Sequence, residues 1–141
     1  MYTSQTQIRV RYSETDQMNF VYYGHYATYF EVGRVEAIRQ LGLSYARLEK
    51  DHGILLPVMT MHVRFVRPAL YDEVLTIITS VPRLPTRDIL FITEIIRTLE
   101  NEKTQLIAGS RITLGFLEAG SRKRLEAPEF LKEKLQPYFV L

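Results

Sequence analysis

Four long stretches with a two-residue period follow Leu56, and they restrict the chain to folds built on an antiparallel sheet. In the first stretch, Met59, Met61, Val63 and Phe65 alternate with polar residues, which is the pattern of a strand with one buried face. The other three strands are predicted over 72–81, 88–99 and 104–117. Proline and asparagine separate the stretches, as turns require.

One helix, predicted from about Tyr23 or Gly24 to Leu41, lies between these strands and a first strand at 7–12. The predicted buried face of the helix is Ala27, Phe30, Ala37, Ile38 and Leu41, widened by Tyr26, Tyr29 and Val32. This apolar surface is wider than the apolar stripe of a helix that packs on the outside of a globular protein. We therefore predict an α+β fold in which a curved, five-stranded antiparallel sheet wraps this helix, with open sheet edges that pair between subunits.

Two short helices complete the prediction. Ser44 is a suitable N-cap for the second helix and Gly53 a suitable end. Pro128 suits the first position of a last helix over 129–135.

Composition excludes several classes of protein. The chain has 141 residues, 46% of them hydrophobic, so we expect a single domain over residues 1–141. It has no cysteine, which rules out disulfides and a thiol nucleophile. The net charge is only +2 and no basic stripe stands out, so no nucleic-acid partner is expected. No targeting or membrane-spanning segment is apparent, and we expect a cytoplasmic protein without a membrane partner.

The motifs of several large enzyme classes are missing. The sequence contains neither a nucleophile elbow nor a glycine-rich phosphate loop nor a dinucleotide fingerprint. The three histidines, His25, His52 and His62, do not have the spacing of metal ligands. We therefore expect no metal and no cofactor, and a catalyst would have to be a carboxylate, a histidine or a backbone dipole.

Asp16 is the best candidate, because it lies between the first strand and the start of the apolar helix. A helix N-terminus has unpaired N–H groups that can polarise a carbonyl oxygen. A carboxylate beside them could attack the carbonyl carbon or activate a water. The alternative is structural, since aspartates in turns before helices commonly bond the local backbone.

Residues near the helix start are the next candidates. His25 could exchange a proton at the same place or could simply be a hydrogen-bonded residue of the first turn. The side chains of Tyr22, Tyr23 and Tyr26 are interpreted as packing residues and walls of a substrate pocket, not as catalysts, since tyrosine is a poor acid or base at its usual pKa. Glu31 is expected to pair with Arg34 one turn later, with contact to substrate or water as the alternative.

A second set of candidates is polar and lies farther along the chain. His62 and Arg64 are on the polar face of a predicted strand, where a solvated or interface position is the alternative to substrate binding. The basic side chains that could bind phosphates are Arg83, Arg87, Arg122, Lys123 and Arg124. For each of these, a solvated surface position is the alternative.

Two motifs give the sequence a family resemblance. The first runs Asp16-Gln-Met-Asn-Phe-Val-Tyr-Tyr-Gly-His-Tyr26 and continues with Tyr29-Phe30-Glu31 and Arg34. The second is the stretch from Val63 to Asp72, which contains Pro-Ala. Together they resemble the 4-hydroxybenzoyl-CoA thioesterase family, including its Tol–Pal-associated branch.

The resemblance implies a hot-dog fold, with a long central helix wrapped by a five-stranded antiparallel sheet. It also implies a homodimer with a continuous ten-stranded sheet, which in the family often pairs into a homotetramer, and an active site at the dimer interface. Asp16 would be the catalytic carboxylate, as nucleophile or general base, and the N–H of Tyr23 would polarise the thioester carbonyl. The sequence departs from the family at Asn19, where glycine is common, and at His25, where asparagine is usual.

The expected function is therefore hydrolysis of an acyl-CoA to a carboxylic acid and free CoA, with the CoA thioester as substrate. A thioesterase that acts on acyl-carrier protein is one alternative, and a non-catalytic hot-dog module that binds acyl-CoA is another. The sequence does not identify the acyl group of the substrate, because apolar and aromatic walls suit aliphatic and aryl groups alike.

Overall fold

The computed structural model describes residues 1–140. A five-stranded antiparallel sheet packs against one long helix, as predicted. The helices are α1 (Tyr26–Gln40), α2 (Tyr45–His52) and α3 (Glu129–Leu135). The strands are β1 (Tyr2–Arg9), β2 (Ile54–Leu55), β3 (Val58–Phe65), β4 (Val74–Val81), β5 (Asp88–Thr98), β6 (Thr104–Gly115) and β7 (Leu117–Glu118).

The strand order in the main sheet is β1-β4-β5-β6-β3. All neighbours are antiparallel, and β4, β5 and β6 follow one another through short turns. Strands β1 and β3 therefore form the two edges of the main sheet. In the register of β3 and β6, Met61 lies opposite Ile112 and Phe65 opposite Ala108, so these β3 side chains share the helix-facing side with buried residues of β6.

Helix α1 lies on the sheet at very close range. A Cβ atom on Gly33 would be only 2.5 Å from Thr79 Oγ1 and 2.7 Å from Ile77 Cγ2, so only glycine lets the helix approach β4 this far. The buried residues of the helix are Tyr26, Tyr29, Phe30, Gly33, Arg34, Ala37 and Ile38.

The prediction that Ala27 belongs to the buried face was wrong, because Ala27 is exposed. The chain forms a 3₁₀ turn over Tyr23–His25 before α1 begins at Tyr26. Ala27 lies on the same face of α1 as the buried Arg34, seven residues later, so its exposure reflects its place in the first turn of the helix and not its direction.

The helix ends follow the expected chemistry. Ser44 Oγ accepts a hydrogen bond from the N–H of Arg47 at 3.2 Å, which confirms the predicted N-cap of α2. Gly53 closes the same helix with φ +62°, and Gly42 follows α1 with φ +86°. Helix α3 has the predicted bounds, although Pro128 is its N-cap and not its first residue.

Two strand predictions differ from the structure. Strand β1 ends at Arg9 instead of Tyr12, because Tyr12–Glu14 forms a 3₁₀ turn that the Glu14 side chain caps through the N–H of Arg11. The pairing of β2 with β7 was not predicted, since strands of two residues are too short to show a period.

Strand β3 is an edge strand with an open, apolar side. Its exposed apolar residues include Val58, Met59, Met61 and Phe65, each about half accessible to solvent.

Within residues 1–140, no helix is long and apolar enough to cross a membrane.

Candidate active site

Asp16 lies in a tight turn between the end of β1 and α1. Its N–H donates to the carbonyl of Phe20 and its carbonyl accepts from the N–H of Asn19, both at 3.0 Å. Its Oδ1 accepts from the N–H of Met18 at 2.8 Å. The predicted structural role is therefore present, but it uses one carboxylate oxygen, and no side chain or main-chain N–H among residues 1–140 is hydrogen-bonded to the other.

Asn19 has φ +68°. This left-handed conformation favours glycine, and asparagine is one of the few other residues that adopt it readily. The departure from the family's common glycine is therefore compatible with the same turn.

Glu14 anchors the Asp16 turn, and the sequence did not reveal this role. Its carboxylate is buried and accepts hydrogen bonds from the N–H of Arg11 at 2.8 Å and the hydroxyl of Tyr29 at 2.9 Å. The main-chain carbonyl of Glu14 accepts from the N–H of Tyr22 at 2.9 Å. Burial by itself would raise the pKa of Glu14, but the bonds from Arg11 and Tyr29 outweigh it and lower that pKa below its usual value.

The start of the helical segment supplies unpaired donors near this turn. The N–H of His25 bonds the carbonyl of Tyr22 at 3.0 Å. The N–H groups of Tyr23 and Gly24 have no acceptor among residues 1–140. Free donors of this kind are a property of helix starts, and here they lie on the segment that follows the Asp16 turn.

An apolar cleft of about 410 Å³ opens beside Asp16. Its lining residues are Asp16, Met18, Phe20, Val21, Tyr22, Tyr23, Tyr26, Phe65, Val66, Arg67 and Pro68. Tyr26 and Phe65 meet edge to face with ring centroids 5.1 Å apart, and Tyr26 Oη accepts a hydrogen bond from the N–H of Ala69 at 3.3 Å. Burial raises the pKa of Tyr26, so this phenol stays neutral and serves as a wall.

Tyr22 and Tyr23 form the outer wall of the apolar cleft, with ring centroids 4.6 Å apart. The Tyr22 ring lies directly over Gly24, because a Cβ there would be 2.7 Å from Tyr22 Cε2. Gly24 therefore sets the position of this wall.

A second, polar cavity of about 750 Å³ lies on another side of Asp16. Its lining residues are Tyr12, Thr15, Asp16, Gln17, Asn19 and Tyr71. Asp16 is shared by the apolar cleft and the polar cavity, so its carboxylate stands where two chemically different spaces meet.

The structure brings the predicted site residues Asp16, Tyr22, Tyr23 and Tyr26 together in the lining of one cleft. His25 is half-buried and its ring contacts Tyr22 with centroids 6.0 Å apart, but it lines neither space beside Asp16. A catalytic role for His25 stays a prediction.

Glu31 lies in a different cavity, of about 230 Å³, together with Arg34 and Tyr45. The expected ion pair between Glu31 and Arg34 was wrong, since no such pair occurs among residues 1–140. Glu31 is exposed while Arg34 is buried, so the two side chains line one cavity at different depths without forming an ion pair. Burial raises the pKa of Tyr45 to about 12, although Arg34 counteracts that rise.

The predicted polar ligands on the sheet lie outside the apolar cleft. His62 and Arg64 are exposed, on the side of β3 that faces away from the helix. Arg83 and Arg87 are exposed in the turn between β4 and β5. Arg122 and Lys123 are exposed after β7.

The two basic loops lie side by side, because Arg124 donates to the main-chain carbonyl of Arg87 at 2.8 Å. Strand β4 leads from the Tyr71 turn to this region, so the loops are at the opposite end of the sheet from Asp16. Across residues 1–140, no group of three or more side chains is arranged to hold a metal ion.

Comparisons with known proteins agree with this architecture. Residues 10–135 match the model of the thioesterase-like superfamily. A solved structure of a DHNA-CoA thioesterase from Staphylococcus aureus superimposes with a TM-score of 0.86 at 31% sequence identity, covering 99% of this chain and 90% of that one.

Two curated relatives have thioesterase names. YneP of Bacillus subtilis, a candidate acyl-CoA thioesterase, is 42% identical over 73 residues, and that match spans only about half of each protein, 52% of this chain and 52% of YneP. The acyl-CoA thioesterase YbgC of Haemophilus influenzae is 25% identical over 89% of this chain and 88% of that protein.

The family match covers most of the chain, and the sheet wrapped against one helix is the architecture of the solved thioesterase. The prediction of an α+β hot-dog fold and the prediction of a thioester hydrolase are both confirmed. The chain belongs to the thioesterase-like superfamily and has its hot-dog fold.

Proposed function

We propose that the protein is an acyl-CoA thioesterase in which Asp16 is the catalytic carboxylate. The observation that carries this proposal is the position of Asp16, between an apolar cleft and a polar cavity and close in sequence to unpaired N–H groups at a helix start. An apolar acyl group suits the cleft. The N–H of Tyr23 would bind the carbonyl oxygen as negative charge develops there.

The reaction adds water across the C–S bond of the thioester. As a general base, Asp16 takes a proton from water while the water oxygen bonds the carbonyl carbon. The C–S bond then breaks, and the leaving CoA thiolate receives the proton that Asp16 holds. As a nucleophile, Asp16 would instead form a mixed anhydride that water hydrolyses.

One turnover in ¹⁸O-labelled water with enzyme in excess tests for the anhydride. Label recovered in the Asp16 carboxylate would require the anhydride. Label found only in the product acid would fit the general base and also an anhydride that water attacks at its acyl carbon.

Relatives support an acyl-CoA substrate. The names of YbgC and YneP refer to acyl-CoA, and the name of the S. aureus structure refers to DHNA-CoA. The motif around Asp16 leads us to place the chain nearest the 4-hydroxybenzoyl-CoA thioesterase family and its Tol–Pal-associated branch. We also propose a cytoplasmic location, because the proposed substrates are CoA thioesters.

We further propose a homodimer formed by antiparallel pairing of two β3 strands, which gives a ten-stranded sheet and can pair again into a tetramer. Support comes from the open edge of β3 and from its exposed apolar side chains, among them Met61 at 51% and Phe65 at 53% accessibility. Such an edge is a template for pairing with another chain. Full antiparallel overlap would place Val58 of one copy opposite Phe65 of the other.

This dimer would also change the surroundings of the basic loops. In the antiparallel arrangement, the end of one sheet with Arg87 and Lys123 lies beside the end of the other sheet with Asp16. We propose that these loops, with Arg83 and Arg122, bind CoA phosphates across the interface.

CoA release from a panel of short-chain, long-chain and aryl acyl-CoAs tests the proposed function. Turnover of at least one class is expected, and the preferred class identifies the acyl group. Turnover only of thioesters on acyl-carrier protein would replace the proposed substrate. Stabilisation by acyl-CoA without any turnover would show a binding module instead.

A further inference from the structure

One wall of the apolar cleft is built by the chain between β3 and β4, residues 66–73, which we call the crossover segment. It leaves the edge strand β3 and enters β4 on the far side of β6 and β5, so it crosses the end of the sheet. Its first three residues, Val66, Arg67 and Pro68, line the cleft together with Asp16 and its neighbours. The position of the crossover segment therefore affects the space available to an acyl group.

Ala69, which is fully buried, joins the crossover segment to the chain that carries Asp16. Its carbonyl accepts the N–H of Val21 at 2.9 Å, and its N–H donates to Tyr26 Oη at 3.3 Å. Val21 directly follows Phe20, whose carbonyl accepts the N–H of Asp16. The position of Ala69 therefore sets how far apart the two walls of the cleft lie.

The main chain alone does not attach Ala69 to the sheet. The N–H groups of Val66 and Arg67 both bond the carbonyl of Ile107 on β6, at 2.9 and 3.0 Å. Pro68 has no N–H to continue this series, and both main-chain groups of Ala69 bond residues outside the sheet. The attachment to the sheet must come from side chains.

A charged pair supplies this attachment. Arg97, on the central strand β5, donates to the carbonyl of Pro68 at 2.9 Å and to the two carboxylate oxygens of Glu73 at 2.5 and 2.9 Å. Glu73 Oε1 also accepts the N–H of Leu70 at 3.2 Å. The pair thus holds the residues on both sides of Ala69. Its side chains are only 18% and 17% exposed, so solvent weakens this contact less than that of a surface pair.

We infer that Arg97 and Glu73 are positioning residues that set the width of the apolar cleft and thereby the acyl groups that the enzyme accepts. Neither residue lines the apolar cleft or the polar cavity, so their effect on the substrate passes through the crossover segment. Because proteins are closely packed, a small displacement of that wall changes which acyl group fits. The inference rests on the proposed thioester hydrolysis and names the residues that control its acyl selectivity.

Three variants remove different parts of this attachment. Arg97→Met removes the charge and all the donors but keeps an apolar stem. Arg97→Lys keeps the charge, but an ammonium group lacks the planar fork that bonds Glu73 and Pro68 together. Glu73→Gln keeps one oxygen acceptor and removes the opposite charge. Since β5 is the middle strand of the sheet, none of these changes touches the proposed dimer edge.

Two further variants are controls. Arg39→Met removes an arginine that pairs with Glu36 on the surface of α1, and it should leave the acyl selectivity unchanged. Ile38→Val removes a methyl group from the core in the C-terminal half of α1. It lowers stability without touching the crossover segment, so it shows what destabilisation alone does to turnover.

Each variant is assayed on acetyl-CoA and on the best substrate among acyl-CoAs with a longer or aryl acyl group. For the larger substrate, kcat/KM should fall about tenfold in Arg97→Met and Arg97→Lys, with a smaller fall in Glu73→Gln. For acetyl-CoA it should fall less than about twofold, because two carbons fill little of the cleft. An equal loss on both substrates, the pattern that Ile38→Val would give, would overturn the inference. An unchanged selectivity in Arg97→Met would do the same.

The double variant tests whether the pair acts as a unit. Arg97→Met combined with Glu73→Gln should lose no more selectivity than Arg97→Met alone, since the second change removes a partner that is already without its arginine. A loss equal to the product of the two single losses would show that the residues act independently.

A binding measurement makes the test independent of turnover. Calorimetry is carried out with non-hydrolysable thioether analogues of the same two acyl-CoAs. The larger analogue should bind about tenfold more weakly to Arg97→Met than to the unchanged protein, and the acetyl analogue should bind both equally. Equal affinity of the larger analogue for both proteins would refute the positioning role. Binding that depends on Arg97, in a protein without any turnover, would refute the proposed hydrolysis alone.

Discussion

Tyr29 of helix α1 donates its hydroxyl hydrogen bond to the buried carboxylate of Glu14 at 2.9 Å, across fifteen residues of chain. The bond joins the central helix to the turn that carries Asp16. Glu14 also holds the N–H of Arg11 and, through its carbonyl, the N–H of Tyr22. The side chain and the main-chain carbonyl of Glu14 together join the Asp16 turn to α1 and to the wall of the apolar cleft.

Glu14→Gln should therefore reduce both stability and activity. The amide cannot accept all the bonds that the carboxylate accepts, and we expect a loss of about 1–3 kcal/mol in the free energy of unfolding. Displacement of the Asp16 turn should lower kcat about tenfold. Urea unfolding and CoA release measure the two effects. Glu126→Gln, at an exposed position, is the control, and equal effects in both variants would contradict the anchoring role.

The lowered pKa of Glu14 predicts a pH dependence of stability. A carboxyl group whose pKa is lower in the folded than in the unfolded state stabilises the fold above its unfolded pKa, and this contribution is lost as pH falls through the folded pKa. The difference in unfolding free energy between the unchanged protein and Glu14→Gln should therefore shrink below about pH 5. A difference that stays constant from neutral to strongly acidic pH would show that the ionised carboxylate is not responsible.

Gly24→Ala should alter the choice of acyl group. The added methyl would lie 2.7 Å from the Tyr22 ring, so the ring must move and the wall of the apolar cleft with it. We expect kcat/KM to change by about tenfold for bulky acyl groups and less for short ones. Gly120→Ala is the control, since a Cβ there meets no atom within 4 Å. An unchanged acyl profile in Gly24→Ala would show that Tyr22 does not shape the pocket.

Met61→Lys should weaken the proposed dimer. A charge on the apolar edge of β3 would be buried against the partner without an opposite charge, and the dimer dissociation constant should rise about a hundredfold or more. Analytical ultracentrifugation over a range of concentrations measures this shift. Gln7→Lys places the same charge on the other edge strand, β1, and should leave the dimer intact. A dimer that stays intact in Met61→Lys and is weakened in Gln7→Lys would show that the interface is at β1.

Local patterns in the sequence were sufficient for most of the fold. The two-residue period identified the four later strands of the main sheet, and Ser44 and Gly53 marked the ends of α2 because caps depend on neighbouring backbone groups. Ala27 was misplaced because periodicity indicates which face of a helix is apolar, but not how far along that face the rest of the chain covers it. The mutual position of β1 and β3 at opposite edges depends on strand order, which periodicity does not contain.

The candidate site was predictable to a smaller extent. Asp16 and its tyrosine neighbours lie within one short stretch and could be recognised by their order. The anchoring contacts of Glu14 could not be recognised, since Tyr22 and Tyr29 follow it by eight and fifteen residues. Glu14 looked like one more polar turn residue, and only the fold shows it buried against Tyr29.

The most direct test of the central claim is the turnover of Asp16→Asn on the preferred acyl-CoA. Asparagine keeps an oxygen that can accept the N–H of Met18, so the turn should persist while the carboxylate is lost. We predict that kcat falls at least about a thousandfold while the affinity for CoA changes less than about twofold. Turnover within about tenfold of the unchanged enzyme, in a variant with normal stability, would contradict the catalytic role of Asp16.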